Sequence, residues 1–389
     1  MENIKIMVIF GTRPEAIKMA PLIKELEKFC QIKCKVCVTA QHREILDQVL
    51  EIFNIEPEYD LNIMKTKQSL TGITCSVLSG LEEIFDKEKP DMVLVHGDTT
   101  TTFAAALAAF YRKIPVGHVE AGLRSYNKYS PYPEEINRKL TGALTELHFA
   151  PTTISRENLL REGIDEKNIF VTGNTVIDAM KYTIKENYVF ENHELNLIDF
   201  KNKKIIMVTA HRRENWGIGI ENICKALKTI VEENLDVEVL YLVHPNPVVK
   251  DVVYSILKDV SRIHLLRPID TREIHNLMKK CYLVMTDSGG IQEEAPHLGK
   301  PVLVLRDVTE RVEALSAGTV RLVGIDRDKI VLEANKLIRN VEEYNNMSKS
   351  INPYGDGNAS IKIVDALVKY FNDISEGKSS TSKNGSYMP

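Results

Sequence analysis

Residues 282–295 decide the fold, because the sequence YLVMTDSGGIQEEA runs from a strand directly into a helix. The apolar run Tyr282–Thr286 is typical of a buried strand. Ser288, Gly289 and Gly290 follow, and a helical pattern begins at once. The glycines let backbone N–H groups approach a ligand closely, and a helix N-terminus favours an anion. The segment therefore predicts a strand–turn–helix unit with an anion-binding turn.

The same alternation of apolar runs and helical patterns recurs along the chain. Helical spacing over Gly219–Val231 and Val248–Leu257, between the runs, indicates βαβ units and parallel sheets with helices on both faces. The runs form two series, so we expect an α/β protein of two doubly wound domains that face each other across a ligand-binding cleft. The predicted strands are Ile4–Phe10, Lys33–Thr39, Met92–His96, Val116–Val119, Leu147–Ala150, Lys204–Thr209, Val237–Val243, Ile263–Leu266, Tyr282–Thr286 and Val302–Leu305.

The chain length also predicts two domains. Its 389 residues exceed the size at which one hydrophobic core usually stops growing. We place the N-terminal domain at 1–184 and the C-terminal domain at 204–359, with the polar segment 185–203 as their linker. An amphipathic helix is expected at about 360–372, and the polar tail 375–389 is expected to be disordered.

Composition excludes several classes of function. The net charge of −4 provides no bulk attraction to nucleic acid or to an anionic membrane. The uncharged run Thr99–Tyr111 is much shorter than the roughly 20 residues that a membrane-spanning helix needs. The start of the chain does not resemble a signal peptide, and the six cysteines do not form a disulfide pattern. Cys34 and Cys37 lie in a predicted strand as reduced thiols. We therefore expect a cytoplasmic protein.

The anion-binding turn favours a sugar nucleotide. Glu294, about one turn into the helix, is placed to accept hydrogen bonds from a ribose diol. The segment has neither the Gly-Lys-Ser/Thr ending of a Walker A motif nor the G-x-G-x-x-G dinucleotide pattern. A sugar nucleotide therefore fits this turn better than ATP or NAD.

Three carboxylates are candidates for acid–base chemistry. Asp98 and Glu120 each follow a predicted strand, and Glu134 lies at a predicted helix start. We expect them to converge, and mutual repulsion then raises the pKa of at least one of them. Such a group exchanges protons near neutral pH. The structural alternative is that Asp98 and Glu134 cap helices while Glu120 pairs with Arg124.

A metal site is a further alternative. His96 with Asp98 and His118 with Glu120 form H-x-D and H-x-E pairs on successive strands, and these residue types bind divalent metals. The sequence offers no obvious further ligands, so we expect no metal.

Basic residues follow the first strands of both series. Arg13 and Lys18 lie at a helix start, where they are suited to bind a phosphate or a carboxylate. His211, followed by Arg212 and Arg213, is suited to stabilise a developing phosphate charge. The alternative for both segments is a solvated basic turn.

Seven collinear motifs resemble those of the non-hydrolysing UDP-N-acetylglucosamine 2-epimerases, and the resemblance runs from about residue 4 to about residue 372. The motifs are Gly11-Thr12-Arg13-Pro14-Glu15, His96-Gly97-Asp98-Thr99-Thr100, His118-Val119-Glu120-Ala121-Gly122-Leu123-Arg124, Pro133-Glu134-Glu135, Thr172-Gly173-Asn174-Thr175, His211-Arg212-Arg213-Glu214-Asn215 and Asp287-Ser288-Gly289-Gly290-Ile291-Gln292-Glu293-Glu294.

The resemblance implies a glycosyltransferase-B fold of two Rossmann-like domains, with the last helix returning to the first domain. It also implies a cytoplasmic homodimer that needs no metal or nicotinamide cofactor. Such enzymes interconvert UDP-N-acetylglucosamine and UDP-N-acetylmannosamine for cell-surface polysaccharides. They eliminate UDP in the anti sense to give 2-acetamidoglucal, and then re-add UDP in the syn sense.

Residue roles follow from the same resemblance. Asp98, Glu120 and Glu134 become the acid–base set, and His211 stabilises the departing UDP. The implied nucleotide and phosphate ligands are Arg13, Lys18, Ser288, Gly289, Gly290, Glu294 and Arg311.

Bacterial members of this family bind a second UDP-N-acetylglucosamine as an activator. Gln41, Arg212, Glu214 and His244 match positions of that allosteric site. Glu44 and Lys67 stand where the family is expected to have Gln and Arg. We expect some activation to be retained.

Four other functions remain open at this point. A hydrolysing relative would release N-acetylmannosamine and UDP, and a glycosyltransferase of the same fold would need an acceptor. A non-enzymatic sugar-nucleotide sensor would have no use for three converging acids. A metal hydrolase would lose activity in EDTA, whereas the epimerase would not.

Overall fold

The computed structural model describes residues 4–40, 43–64, 68–309 and 311–377, apart from the side chains of 43–45. The chain forms two compact units. Unit 1 comprises Met1–Ala179 and Gly357–Pro389, and unit 2 comprises Met180–Asp356.

Unit 1 is built on one parallel sheet. Its strands are β1 (Ile4–Phe10), β2 (Ile32–Val38), β3 (Tyr59–Asp60), β4 (Met92–His96), β5 (Val116–Val119), β6 (Leu147–Ala150) and β7 (Ile169–Val171). Within the described residues these seven strands have the order β3-β2-β1-β4-β5-β6-β7, and every pair is parallel. The order reverses between β1 and β4, which is the usual ligand-binding position of an open α/β sheet.

Helices follow the strands of unit 1. They are α1 (Arg13–Leu26), α2 (Arg43–Phe53), α3 (Leu70–Glu88), α4 (Thr100–Tyr111), α5 (Glu134–Leu144), α6 (Thr153–Arg161) and α7 (Thr175–Thr183). The core contains apolar side chains from both faces of the sheet: Ile6, Val8 and Phe10 belong to one cluster, and Met7 and Ile9 to another. Burial on both faces explains why β1 is apolar at every residue from Ile6 to Phe10.

Unit 2 repeats this architecture. Its strands are β8 (Lys204–Thr209), β9 (Val237–Leu242), β10 (Ile263–Leu266), β11 (Leu283–Thr286), β12 (Val302–Val304) and β13 (Val320–Leu322). Over the described part of this unit the strand order is β10-β9-β8-β11-β12-β13, again parallel throughout. Its helices are α8 (His193–Asn196), α9 (Ile218–Glu233), α10 (Pro247–Leu257), α11 (Thr271–Lys280), α12 (Gly289–His297), α13 (Val312–Ser316), α14 (Arg327–Arg339) and α15 (Val341–Ser348). The order reverses between β8 and β11.

The last helix belongs to unit 1. Helix α16 (Ala359–Ser375) packs against α1. Its first two residues donate backbone N–H groups to the Asp178 carboxylate at 3.1 and 2.8 Å. This carboxylate at the helix N-terminus both satisfies free N–H groups and complements the helix dipole.

The observed units differ from the domain limits expected above. The chain enters unit 2 at Met180, inside α7, and not at residue 184. The segment 185–203 is part of unit 2 and contains α8. Lys185 N–H donates to Asn276 Oδ1 at 3.0 Å, and Asn192 N–H donates to Glu273 Oε1 at 3.0 Å. These bonds to α11 fix a segment whose polarity suggested a linker. Of the tail 375–389, Ser375 ends α16 and residues 378–389 lie outside the described residues.

Each of the ten predicted strands is present to within one residue at either end. The short strands β3, β7 and β13 were missed, and each lies at an edge of its sheet. Cys34 is partly buried and Cys37 is buried, both as free thiols on β2. In the described part of the chain, every helix is too short or too polar to span a bilayer.

Candidate functional site

In unit 1, the turns after β4 and β5 carry the first two predicted acids. His96 and Val119 are register partners at the ends of these strands, so the turns that begin at Gly97 and Glu120 are neighbours. Gly97 has a φ of +68° and Glu120 a φ of +62°. A left-handed conformation is uncommon for a glutamate and often occurs at functional sites.

Glu120 is buried, and residues from three other parts of unit 1 lie around its carboxylate. Lys18 of α1 forms an ion pair with Oε2 through its Nζ. The side-chain amide of Asn174 donates to the same oxygen at 2.9 Å. His96 Nε2 lies 3.7 Å from that oxygen and has no hydrogen-bond partner among the described residues. The carboxylate thus faces a cation, an amide donor and an imidazole.

The charge state of Glu120 is set by Lys18. Burial favours the neutral acid, but the charge and the hydrogen bond of Lys18 outweigh it and lower the pKa of Glu120 well below 4.5. Burial lowers the pKa of His96 to about 4, and the Lys18 and Arg138 cations act in the same direction. At neutral pH the site therefore holds an ionised Glu120 beside a neutral His96. The expected mutual repulsion of acids does not raise the pKa of Glu120, because a cation lies in direct contact with it.

Helix α5 brings Glu134 and Asp98 into one region. Glu134 is the first residue of α5, and Arg138 lies one turn later on the same helix face. The Arg138 guanidinium pairs with Asp98 Oδ2, and the Asn137 amide donates to the Asp98 carbonyl at 3.0 Å. Glu134 Oε2 is buried and accepts no hydrogen bond from the residues that the structure describes. Asp98 is thus fixed by the Arg138 guanidinium, whereas Glu134 has a carboxylate oxygen that accepts no hydrogen bond from the described residues.

The structural alternatives for these acids do not hold. Thr99 is the N-cap of α4 and Pro133 is the N-cap of α5, so neither Asp98 nor Glu134 caps a helix. Arg124 pairs with Glu162 at 2.7 Å, while Glu120 pairs with Lys18.

The residues of the metal alternative have other contacts. His118 Nε2 lies 2.7 Å from the Gly97 carbonyl, and Asp98 pairs with Arg138. Among the residues that the structure describes, no group of three or more His, Cys, Asp or Glu side chains is arranged to hold a metal ion.

The start of α1 places Arg13 and Lys18 differently. Arg13 is exposed at the first helical residue, whereas Lys18 is largely buried against Glu120. Glu15, which was not singled out from the sequence, is buried. It accepts N–H groups of Gly11 and Thr12 at 3.1 and 2.8 Å, which fixes the turn after β1. Burial raises the pKa of Glu15 despite these hydrogen bonds.

In unit 2, Asp287 organises the turns after β8 and β11. Its fully buried Oδ2 accepts the backbone N–H groups of His211 and Arg212 at 2.7 and 2.8 Å, and the Asn215 amide at 3.0 Å. His211 Nδ1 lies 3.3 Å from Asp287 Oδ1. The ring of His211 also stacks on His244, with centroids 5.4 Å apart. Asp287 therefore fixes the backbone of His211, while the His211 ring lies between Asp287 Oδ1 and the ring of His244.

His211 is neutral in this environment. Burial lowers its pKa, and the neighbouring His244 and Arg212 act in the same direction, although Asp287 opposes them. A carboxylate facing Nδ1 favours a proton on that nitrogen, which leaves Nε2 as an acceptor. Protonation of Nε2 would make the ring a donor on that side.

The predicted anion-binding turn is present after β11. Ser288 is the N-cap of α12, and Gly289 and Gly290 are its first helical residues. A Cβ atom on Gly289 would lie 3.0 Å from Arg311 Cζ, so the guanidinium covers this helix end. Arg311 is held by Glu293, with Nε 2.9 Å from Oε1. Glu294 lies one turn into α12 and is mostly buried. The turn thus joins free backbone N–H groups, a helix dipole and a fixed cation.

The allosteric candidates are only partly described. Gln41 and Lys67 lie outside the described residues, and of Glu44 only the backbone, in α2, is described. Glu214 pairs with Arg306 at 2.6 Å, and Arg212 contributes its backbone N–H to Asp287. His244 is exposed and stacks on His211.

Sequence reasoning gave no role to several residues that shape these sites. Asn174 and Asp287 belong to two of the seven motifs. Each follows the end of a short strand, and that position could have marked it as a site residue. His96 was considered only as a metal ligand. Arg138 and His275 lie inside helices without a distinguishing local pattern, and only the fold reveals their contacts.

Each unit has the parallel, doubly wound architecture of a Rossmann-like domain, and two such units in one chain define the glycosyltransferase-B class of fold.

Comparison with known proteins gives the family. The sequence model of the UDP-N-acetylglucosamine 2-epimerase family matches residues 24–368. A relative from Clostridium acetobutylicum is 70% identical over 371 residues, covering 95% of this chain and 96% of its own. The UDP-N-acetylglucosamine 2-epimerase of Bacillus subtilis is 54% identical over 371 residues, covering 95% and 97%.

A solved structure agrees with these relatives. The crystal structure of UDP-GlcNAc 2-epimerase from Neisseria meningitidis bound to UDP-GlcNAc superposes with a TM-score of 0.86 at 52% identity, and covers 94% of this chain and 100% of that chain. The chain belongs to the UDP-N-acetylglucosamine 2-epimerase family. Its activity is that of an isomerase acting on a nucleotide sugar.

Proposed function

We propose that this protein reversibly interconverts UDP-N-acetylglucosamine and UDP-N-acetylmannosamine without hydrolysis. The observation that carries the proposal is the difference between the environments of the three acids. Glu120 is buried and ionised by Lys18, Asp98 is fixed by Arg138, and Glu134 has a buried oxygen that accepts no hydrogen bond within the described part of the chain. Carboxylates in unlike environments are suited to unlike acid–base roles.

The chemistry explains why several such groups are needed. A base removes the proton from C2, the C–H electrons form the C1–C2 double bond, and the C1–O bond breaks with its electron pair leaving on UDP. UDP then adds back to C1 while C2 receives a proton on its opposite face. Inversion therefore requires proton exchange on both faces of the sugar. Asp98, Glu120 and Glu134 are the proposed acid–base set for these two steps.

The leaving UDP needs stabilisation in the same step, because the C2 proton is only weakly acidic. We assign its phosphates to Ser288, Gly289, Gly290 and Arg311, and its ribose to Glu294. A diphosphate beside His211 favours the protonated ring, so Nε2 becomes a donor to the leaving oxygen. Arg13 is exposed and available to phosphate. In the proposed cycle Lys18 keeps Glu120 ionised. This role is additional to the phosphate binding that the family resemblance implies for Lys18.

The assembly and setting of the enzyme are part of the proposal. We propose a homodimer in the cytoplasm that serves polysaccharide synthesis, with no nucleic-acid or membrane partner. Phe110 and Tyr111 of α4 and Leu140 of α5 are exposed apolar side chains, which suits a protein–protein contact. We also propose that the protein keeps an activator site, formed by Gln41, Glu44, Lys67, Arg212, Glu214 and His244. The stack of the His244 ring on the His211 ring would link this site to the leaving-group site.

Product analysis tests the non-hydrolysing form. Purified protein is incubated with UDP-N-acetylglucosamine, and the products are separated by anion-exchange chromatography. The proposal predicts UDP-N-acetylmannosamine in equilibrium with substrate and no build-up of UDP. Stoichiometric UDP with free N-acetylmannosamine would instead identify the hydrolysing reaction. Turnover only after addition of a sugar acceptor would identify a glycosyltransferase.

A further inference from the structure

The carboxylate of Glu294 is held from one side by a buried histidine. Glu294 Oε2 lies 3.4 Å from His275 Nε2, and His275 is almost fully buried on α11. The other oxygen, Oε1, lies over the first turn of α12, where a Cβ atom on Gly290 would be 3.3 Å away. The two oxygens of Glu294 therefore have different neighbours.

The His275 ring is in turn fixed by the end of α7. Its Nδ1 lies 2.7 Å from the hydroxyl oxygen of Thr183, which is fully buried. The side-chain amide of the adjacent Asn276 donates to the Thr183 carbonyl at 2.8 Å. Helix α11 therefore contacts both the hydroxyl and the carbonyl of Thr183. The hydroxyl, the ring and the carboxylate form a continuous chain of contacts within unit 2.

The chemistry of the three groups sets the direction of this chain. A carboxylate oxygen accepts hydrogen bonds, so the tautomer of His275 with a proton on Nε2 is the one that directs a donor at Glu294 Oε2. Nδ1 then accepts the hydrogen of the Thr183 hydroxyl. Contacts such as the one between Nε2 and Oε2 are often long before a ligand binds and shorten in the complex.

We propose that His275 and Thr183 are positioning residues for ribose recognition. His275 holds Oε2 of Glu294 and thereby directs Oε1 to the ribose diol, which gives the site a preference for ribonucleotides over 2′-deoxyribonucleotides. The inference rests on the proposed role of Glu294 as the ribose ligand. It adds two residues that lie outside every motif of the sequence.

A difference between two ligands separates positioning from a general structural effect. A site built to bind a hydroxyl discriminates against the analogue that lacks it, because its polar group is left unpaired. Loss of folded protein weakens the apparent binding of both ligands equally. The ratio of the two dissociation constants therefore reports only on the position of Glu294.

The experiment measures the binding of UDP and of 2′-deoxy-UDP by calorimetry. Thr183→Val removes the hydroxyl at almost constant volume, and His275→Gln removes the ring. His264→Gln is the matched control. His264 lies on β10, the edge strand of the same sheet, and its Nε2 is 3.0 Å from Glu238 Oε2. Glu294→Gln tests the carboxylate itself.

We expect the unmodified protein to prefer UDP by about tenfold, which is what one hydrogen bond to a charged group supplies. Thr183→Val and His275→Gln should move this ratio toward one, mainly by weakening UDP, and His264→Gln should leave it unchanged. The double variant His275→Gln/Glu294→Gln should have the same ratio as Glu294→Gln alone, because both substitutions act through the Glu294 carboxylate.

Two outcomes would overturn the inference in different ways. If Glu294→Gln abolishes the preference but Thr183→Val and His275→Gln keep it, Glu294 is the ribose ligand and His275 does not position it. If the unmodified protein fails to bind UDP, or Glu294→Gln keeps the preference, the proposed nucleotide site is itself wrong.

Discussion

Replacing Lys18 by methionine tests the central ion pair of unit 1. The two side chains have similar length, so Lys18→Met removes the charge and leaves the packing nearly intact. Lys18 and Glu120 are both largely buried, and among the described residues Lys18 is the one Lys or Arg that forms an ion pair with this carboxylate. The substitution therefore leaves a buried carboxylate with only the Asn174 amide and a neutral imidazole.

The expected loss in the free energy of unfolding is large for a single substitution, because the ion pair that it breaks is buried. Breaking one partner of a buried ion pair costs about 3–5 kcal/mol, and the remaining amide bond places this case near 3 kcal/mol at neutral pH. Lys225→Met is the control, because Lys225 pairs with Glu221 on an exposed helix face at 3.2 Å. An exposed pair of this kind contributes less than about 1 kcal/mol.

The pH dependence gives a second readout. In the unmodified protein the lowered pKa of Glu120 contributes stability that is present above pH 4.5 and is lost as the pH falls through the folded-state value. Without Lys18, burial raises the pKa of Glu120 above 4.5, so the folded variant takes up a proton more readily than its unfolded chain. Its stability deficit should thus be largest at neutral pH and should shrink as the pH falls toward 4.5.

Urea denaturation followed by far-UV circular dichroism, at several pH values, measures both effects. Equal losses for Lys18→Met and Lys225→Met would refute the reasoning. So would a deficit for Lys18→Met that does not change with pH, since the cost would then not arise from the Glu120 charge.

Three further predictions follow from the same sites. Asp98→Asn and Glu134→Gln should each lower turnover by about 10²–10⁴-fold while calorimetric UDP binding is largely kept, and near-normal turnover would remove that residue from the acid–base set. Gly289→Ala should weaken UDP binding by about tenfold or more, because its Cβ would meet Arg311 at 3.0 Å, and unchanged affinity would place the phosphates elsewhere. UDP binding to the unmodified protein should take up a proton at neutral pH, seen as a buffer-dependent binding enthalpy, and the uptake should vanish in His211→Asn.

The sequence predicted the central strands well for a physical reason. Strands such as β1 and β4 are buried on both faces, so Ile6–Phe10 and 92–95 are continuous apolar runs that end close to a turn. The edge strands β3, β7 and β13 have only two or three residues each and are partly exposed, so their sequences carry little signal. The unit boundary was misplaced because the chain changes units inside α7, where helical periodicity continues without a break.

The candidate site was predictable where it follows strand ends. Asp98, Glu120, His211 and the turn at Ser288 all stand directly after apolar runs. The contacts that set their charge and orientation come from distant helices, such as Lys18 on α1 and Arg138 on α5. Such pairings depend on which helices flank a given strand end, and a single sequence does not encode that adjacency in any local pattern.

Deuterium incorporation at C2 tests the proposed reaction most directly. The protein is incubated with UDP-N-acetylglucosamine in D2O with EDTA present, and proton NMR follows the C2 position of both sugars. We predict that UDP-N-acetylmannosamine forms with deuterium at C2 and that EDTA does not slow the reaction. Product that retains the original C2 proton, or turnover that stops in EDTA, would contradict the account.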